Sequence, residues 1–287
     1  MVRSCSLGIS NHNTPTAVLT TLRDHARRTG IDRYRVWASK LESCGTVVRK
    51  LRCEKCGHEH DVPARCGLRA CPSCASRKAY RTQRRYLKPL QRMGDLKFVT
   101  LTLRATTDLE TGVWRMQRCL EKLRRRASIR RCLRGGLYCI ETGKPTKRGG
   151  QYVFNVHAHL LVSMDFRPQK WLSALWKEIT GDSWVVDIRF VRSAQRALRY
   201  VLDYLGKGCA SMKEPWDPEA IVEFMVALEG KRLVQPFGDL LGSAERGERF
   251  VCPSCGEAIF AVIDALTGEV IFSQLALLKG LAMKLGP

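Results

Sequence analysis

The segment VFNVHAHLLV contains two histidines whose spacing could bind a cation. Because successive residues of a strand point to opposite faces, Asn155, His157 and His159 would share one face. The preceding strand ends in Glu141, and a turn through GKPTKRGG would fold that carboxylate back toward the histidines. Two histidines and one carboxylate leave open positions on a divalent ion, which can then polarise a phosphodiester. Taken alone, such a pair is more often two hydrogen-bonded, half-buried histidines.

The segment AQRALRYVLDYLGK predicts a helix with Ser193 as its N-cap and an end at Gly206 or Gly208. Its apolar residues form one broad face, and a polar stripe at i, i+4, i+7 spacing lies opposite, formed by Tyr200, Tyr204 and Lys207. A tyrosine hydroxyl is a poor nucleophile unless a nearby ammonium or metal stabilises its phenolate, and Lys207 could supply that charge. In isolation, the simpler interpretation is two tyrosines that pack at the surface.

Thirteen cysteines, many of them clustered, favour metal binding over disulfides in a chain expected to be cytoplasmic. Two CxxC pairs have the spacing of a structural four-thiolate zinc site, and we expect its ligands to be Cys53, Cys56, Cys71 and Cys74. Nearby or recurring residues that could add ligands are Cys44, Cys66, His58, His60, Cys252 and Cys255. Eight cysteines would suffice for two such sites if the C-terminal CPSC pair folds back.

The net charge is +22, from 49 Lys and Arg against 27 Asp and Glu. Such an excess favours nucleic acid as the partner, although a solvated basic surface is the alternative. Two basic segments are candidate DNA contacts, and they lie at 77–88 and 124–131. No apolar run has the length of a membrane-spanning helix, so we expect a soluble cytoplasmic protein that does not bind membranes.

From Lys97 onward the patterns alternate between strands and helices in the order β, α, β, β, α, β, α. This order predicts an α+β domain with an antiparallel sheet that carries helices on one face, preceded by a zinc-binding module. The expected regions are a basic N-terminal region at 1–43, a cysteine-rich module with a basic helix at 44–88, a catalytic domain at 95–208, and a C-terminal region with a CPSCG turn at 209–287.

Together the motifs resemble the HUH endonuclease superfamily, and within it the plasmid rolling-circle replication initiators. FVTLTL resembles the first motif, a structural strand, VHAHLLV the second, and YVLDYLGK the third. The resemblance implies that His157, His159 and Glu141 bind Mg²⁺ or Mn²⁺ and that Tyr204 is the nucleophile, with Lys207 beside it. It also implies nicking of an origin strand, with a 5′-phosphotyrosine link and a free 3′ hydroxyl as products.

One position departs from the plasmid initiators, which usually have a glutamate where this chain has Tyr200. The Tyr-x3-Tyr arrangement resembles phage gene A proteins and two-tyrosine HUH transposases, which implies a second transesterification by Tyr200. An insertion-sequence transposase is therefore one alternative, and a non-catalytic zinc-ribbon DNA-binding regulator is another. No GxxxxGK[ST] phosphate-binding loop occurs, so we expect a host helicase to open the duplex and a host polymerase to extend the 3′ end.

Overall fold

The computed structural model describes residues 16–46, 48–210, 216–245, 250–263 and 269–274, with side chains except at 48, 49 and 203–210. The helices are α1 (Thr16–Thr29), α2 (Asp32–Glu42), α3 (Pro72–Met93), α4 (Leu109–Arg125), α5 (Ala127–Arg130), α6 (Gln169–Thr180), α7 (Ala194–Ala210) and α8 (Pro218–Ala227). The strands are β1 (Val48–Cys53), β2 (Glu59–Pro63), β3 (Leu96–Thr102), β4 (Leu133–Thr142), β5 (Thr146–Arg148), β6 (Gln151–Val153), β7 (Val156–Met164), β8 (Val186–Phe190), β9 (Val234–Gly238), β10 (Phe260–Ile263) and β11 (Val270–Ser273).

The chain divides into two compact units. The described residues of the first unit are 25–46, 48–66, 250–263 and 269–274, and those of the second are 16–24, 67–210 and 216–245. The first unit contains an antiparallel sheet in the order β11-β10-β1-β2. Strands from distant parts of the sequence therefore build one small sheet, in which Cys53 of β1 lies opposite Phe260 of β10.

The second unit is built on a five-stranded antiparallel sheet in the order β8-β3-β7-β4-β9. Its central strand, β7, is buried along nearly its whole length. One face of the sheet packs against α3 and α7 through a core that includes Leu90, Leu137, Cys139, Leu161 and Leu198. On the opposite face, Val99, Leu160 and Val162 line a small cavity together with Leu123 of α4 and Leu172 of α6.

The α+β class and the antiparallel sheet predicted from the sequence are confirmed. Helices cover both faces of the sheet, where the sequence predicted helices on one face. The reason is visible in β7, where the adjacent residues Leu160 and Leu161 point to opposite faces and both are buried. A strand that is apolar on both sides needs cover on both sides.

The C-terminal part of the second unit lies beyond the catalytic domain predicted at 95–208. Strand β9 pairs with β4 as an edge strand of the five-stranded sheet, with Phe237 opposite Gly136. Helix α8 begins at Pro218, after Asp217, whose side chain accepts a hydrogen bond from the backbone N–H of Glu219. Within the described residues, the chain passes from one unit to the other between residues 24 and 25 and between residues 66 and 67.

Candidate active site and cysteine cluster

The two histidines of β7 lie at the centre of the sheet, on the face that packs against α3 and α7. Their neighbours on β3 are threonines, with Thr102 opposite His157 and Thr100 opposite His159. On the other side, β4 places Glu141 opposite His157. The sheet register therefore gathers the predicted histidines and carboxylate on one surface, with two threonine hydroxyls beside them.

Each imidazole is held by one threonine. Thr100 Oγ1 lies 3.0 Å from Nδ1 of His159, and Thr102 Oγ1 lies 3.0 Å from Nδ1 of His157. A hydroxyl can donate to a ring nitrogen or accept from it, so these bonds fit either tautomer. They fix the orientation of both rings and direct each Nε2 away from β3. No role for these threonines was predicted from the sequence, although Thr100 and Thr102 are two residues apart on a strand, as the histidines are.

Glu141 forms a hydrogen bond with the second histidine, with 2.5 Å between Oε1 and Nε2 of His159. Both side chains are nearly buried, at 11% and 9% exposure. An ionised carboxylate only accepts, so Nε2 donates here and Nδ1 accepts from Thr100. Burial lowers the pKa of His157, and the charge of Glu141 opposes that effect. A lowered pKa favours the neutral imidazole, which is the form that binds metals.

The chemistry of the donors fits a divalent ion, with two imidazole nitrogens and one carboxylate. The ring centroids of His157 and His159 are 6.4 Å apart and the rings are inclined by 27°. Among the described residues, the clusters whose ligand atoms all lie within 4.8 Å of one another consist of cysteines. His157, His159 and Glu141 do not form such a cluster, although His159 and Glu141 are in contact, so metal binding would require the three side chains to rearrange and would displace the proton between Glu141 and His159.

Helix α7 places a tyrosine beside this face. Ser193 caps the helix as predicted, since its Oγ accepts from the backbone N–H of Arg196. The Tyr200 ring stands edge-on to His159, with centroids 6.3 Å apart, and to Phe98, at 5.4 Å. Phe98 in turn stacks on the His159 ring. Tyr200 is 47% exposed, so it is partly open to solvent.

The other two residues of the predicted polar stripe also lie on α7, which continues to Ala210 beyond the predicted end. The side chains of Tyr204 and Lys207 lie outside the described part of the structure. Their roles stay predictions. In a helix, residues four apart occupy the same side, so the backbone of α7 places Tyr204 one turn beyond Tyr200 on that side.

Two cations lie near the histidine face: Arg69, which was not predicted from the sequence, and Lys78, which belongs to the basic segment 77–88. Arg69 donates to the backbone carbonyl of Lys231, and burial lowers the pKa of its guanidinium. Partial burial and the nearby charge of Arg69 lower the pKa of Lys78. Both charges act on the thiol of Cys139, whose pKa burial raises. Cys139 lies opposite His159 in the sheet, so positive charge is concentrated beside the candidate site.

In the first unit, four cysteines form a compact cluster, with ligand atoms all within 4.8 Å of one another: Cys53, Cys56, Cys252 and Cys255. The sequence predicted Cys71 and Cys74 as the partners of the first CxxC pair, and the structure corrects this assignment. The reason is the pairing of β1 with β10, which brings the C-terminal CPSC turn to the end of β1. A cluster of this composition could hold a metal ion.

The remaining predicted ligands are divided between the units. In the first unit, the backbone N–H of Cys66 points to Sγ of Cys44 at 3.5 Å. In the second, Cys71 precedes the first residue of α3, and the backbone N–H of Gly67 donates to Sγ of Cys74 at 3.3 Å. A second four-thiolate site stays a prediction from the sequence, which assigns no ligand set to it.

Comparison with known proteins places the chain in a family. Among the described residues, no helix combines the length and apolar character needed to cross a membrane. No curated protein and no solved structure matches the chain. The family model Rep_1, described as replication protein, matches residues 60–248, which is more than half of the sequence and includes every residue of the candidate site. The chain therefore belongs to the Rep_1 family of replication proteins.

Proposed function

We propose that this replication protein initiates rolling-circle replication of a plasmid or phage by nicking one origin strand with a tyrosine. The observation that carries the proposal is the arrangement on one sheet face of His157, His159, Glu141 and Tyr200. A buried carboxylate and two oriented imidazoles suit metal-assisted phosphate chemistry, and a partly exposed tyrosine beside them suits nucleophilic attack. Membership of the replication protein family favours initiation over transposition.

In the proposed reaction, the Tyr204 hydroxyl oxygen attacks the scissile phosphorus of single-stranded or extruded origin DNA. An oxygen–phosphorus bond forms to the tyrosine, and the bond from phosphorus to the 3′ oxygen breaks. The tyrosine proton leaves to solvent, and the departing 3′ oxygen takes up a proton. The products are a 5′-phosphotyrosine and a 3′ hydroxyl that a host polymerase can extend. Lys207 would stabilise the phenolate.

Three side chains would hold Mg²⁺ or Mn²⁺ in this reaction, namely His157, His159 and Glu141. The bound ion would neutralise charge on the scissile phosphate. Thr100 and Thr102 would keep the histidine rings oriented, as partners of metal-binding histidines do. For metal to bind, His159 must release the proton that it shares with Glu141, and Thr100 can then accept from Nδ1, because a hydroxyl serves both roles.

After one round of strand displacement, Tyr200 would attack the regenerated origin in a second transesterification. Its position beside His159 supports this role, because the ring already lies next to the proposed metal ligands. The 3′ hydroxyl released by that attack would then attack the phosphorus bound to Tyr204. The bond from phosphorus to the Tyr204 oxygen would break, which closes the displaced strand into a circle and restores the Tyr204 hydroxyl. No nucleotide hydrolysis is needed, so a host helicase would supply the energy for unwinding.

Positive charge near the site would bind the DNA backbone. Arg69 and Lys78 lie beside the histidine face, and the other basic residues of 77–88 and those of 124–131 would add contacts to the DNA backbone. Contacts of this kind position the strand and make affinity fall steeply with salt. They do not by themselves read the origin sequence, which requires contacts to bases.

The test is covalent capture. Purified protein is incubated with Mn²⁺ and end-labelled single-stranded candidate origins, and the products are separated on a denaturing gel. We expect an adduct that Tyr204→Phe abolishes or greatly weakens and that the double variant with Tyr200→Phe abolishes. Strand transfer that persists in Tyr200→Phe would refute the two-tyrosine scheme. Tight binding without an adduct from any origin would favour a non-catalytic DNA-binding protein.

A further inference from the structure

The four-cysteine cluster of the first unit is built from two turns with the same geometry. In the N-terminal turn, the backbone N–H of Gly57 donates to the carbonyl of Cys53 at 2.8 Å. In the C-terminal turn, the N–H of Gly256 donates to the carbonyl of Cys252 at 2.7 Å. The two glycines have φ of 75° and 74°, in the left-handed region that favours glycine. A CxxCG turn of this shape presents both sulfurs on one side.

Strand pairing brings these two turns together. Strand β1 ends at Cys53, and the backbone N–H of Glu54 donates to the carbonyl of Ile259 just before β10. An ion pair of 2.7 Å between Lys55 Nζ and Glu257 links the two turns directly. The sequence separation is large, since Cys56 and Cys252 are 196 positions apart. No interaction within either turn brings the two turns together. Their proximity depends on the pairing of β1 with β10, and that pairing depends in turn on the cluster.

The distances between sulfurs match a tetrahedral metal site. Sγ of Cys53 lies 3.5 Å from Sγ of Cys255, and Sγ of Cys56 lies 3.6 Å from Sγ of Cys252. These distances far exceed a disulfide bond, and the four cysteines are free. Zinc–sulfur bonds of about 2.3 Å in a tetrahedron place neighbouring sulfurs about 3.8 Å apart. The pairs thus already have nearly the spacing that zinc requires.

Little apolar packing supports the cluster. The apolar core beside the cluster is small and consists of Cys53, Cys252 and Phe260, with Leu51 and Cys255 packed against it. A core of this size stabilises little by itself, and small modules of this kind commonly depend on a bound metal.

We propose that Cys53, Cys56, Cys252 and Cys255 bind one structural Zn²⁺ and form a zinc ribbon from two distant segments of the chain. Four thiolates saturate the ion, so the site stabilises the first unit and does not catalyse. The zinc closes a loop that contains most of the sequence matched by the replication protein family. Loss of zinc would therefore release β10 from β1.

The first experiment compares zinc content per chain, by elemental analysis after dialysis, in wild type, Cys53→Ser, Cys252→Ser and the double variant. Each single variant is expected to lose one equivalent, and the double variant the same one equivalent. Cys119→Ala is the control, since this buried cysteine lies on α4, away from every CxxC pair in the sequence, and it should retain all zinc. Full zinc in Cys252→Ser, or the loss of two equivalents in the double variant, would overturn the proposal.

The second experiment uses the wild-type protein, so it does not depend on the folding of a variant. Cys56 is exposed in the structure, and a free thiol there should react rapidly with an alkylating reagent. With zinc bound, Cys56 and Cys252 should be protected together, and a chelator should make both reactive at once. Rapid alkylation of Cys56 in the zinc-loaded protein would contradict the proposal. Neither experiment measures nicking, so failure here leaves the proposed function untouched, and failure of nicking leaves the zinc site untouched.

Discussion

Replacing Thr100 with valine removes one hydroxyl from the candidate active site and keeps the shape of the side chain. In the structure that hydroxyl lies 3.0 Å from Nδ1 of His159, whose Nε2 contacts Glu141. Without the hydroxyl, the imidazole loses the partner that fixes its tautomer and its rotation. We expect the variant to bind Mn²⁺ more weakly and to need more Mn²⁺ for nicking.

The expected size follows from the bond that is lost. Removing the partner of a metal-binding histidine typically costs about 10- to 100-fold in metal affinity, which is about 1.4–2.8 kcal/mol. The effect on folding should be smaller, about 1 kcal/mol for one hydrogen bond. For a domain of 150–250 residues that corresponds to a fall in Tm of about 2–4 °C. Metal affinity should therefore change more than stability.

The assay is isothermal titration of Mn²⁺ into wild type and Thr100→Val, together with adduct formation as a function of Mn²⁺ concentration. Thr146→Val is the matched control, because Thr146 lies exposed on strand β5. High Mn²⁺ should restore adduct formation in Thr100→Val. If Thr100→Val binds Mn²⁺ with wild-type affinity, the Thr100 hydroxyl does not orient His159 for metal binding.

Three further predictions concern pH, charge and packing. Because burial lowers the pKa of His157, the folded state binds fewer protons than the unfolded state below about pH 6.5. The free energy of unfolding should therefore fall as the pH drops through that range. Urea titrations should show a smaller fall in His157→Gln. Arg69→Ala and Lys78→Ala should each weaken binding of single-stranded DNA and reduce the slope of log affinity against log salt by about 0.7. Gly136→Ala should cost at least about 2 kcal/mol in unfolding free energy, because a Cβ there would overlap the neighbouring strand.

Matched controls separate these effects from general ones. Lys170→Ala removes an exposed charge on α6, which packs on the opposite face of the sheet, and should change DNA affinity less than either cation near the site. A Cβ at Gly136 would collide with the backbone carbonyl of Leu161, whereas one at Gly143 would meet nothing within 4 Å. Equal destabilisation by Gly143→Ala would contradict the packing argument. An unchanged salt slope in Lys78→Ala would remove that residue from the DNA contacts.

Much of the five-stranded sheet and of the candidate active site could be predicted from the sequence, because their signals are local. Alternation in FVTLTL and VFNVHAHLLV predicts strands, and the structure contains β3 and β7 there. The two-residue period of a strand predicts that His157 and His159 share one face. The predicted turn between the two strands places Glu141 beside them, and the structure confirms this. The N-cap at Ser193 could likewise be predicted, because serine just before a helical pattern is a common N-cap, and its Oγ accepts from the backbone N–H of Arg196.

The parts that escaped prediction depend on pairings between distant segments. The β1–β10 pairing spans most of the sequence, and no local pattern in CEKC or CPSC specifies which other CxxC pair it meets. Strand β9 lies in a segment that reads as a polar loop, and only its pairing with β4 makes it a strand. No pattern around Arg69 in the sequence predicts a role for it. Its proximity to the candidate active site results from the fold, which places it near Cys139, the residue opposite His159.

If the proposed function is correct, a tyrosine of α7 becomes covalently bound to the 5′ phosphate of DNA. Protease digestion of the covalent complex, followed by mass spectrometry of the peptide that retains a nucleotide, identifies the attached residue. We expect the added mass on Tyr204 after the first cleavage, and on Tyr200 when Tyr204 has already reacted. Attachment to a residue outside α7, or nicked DNA without any modified peptide, would contradict the proposed function.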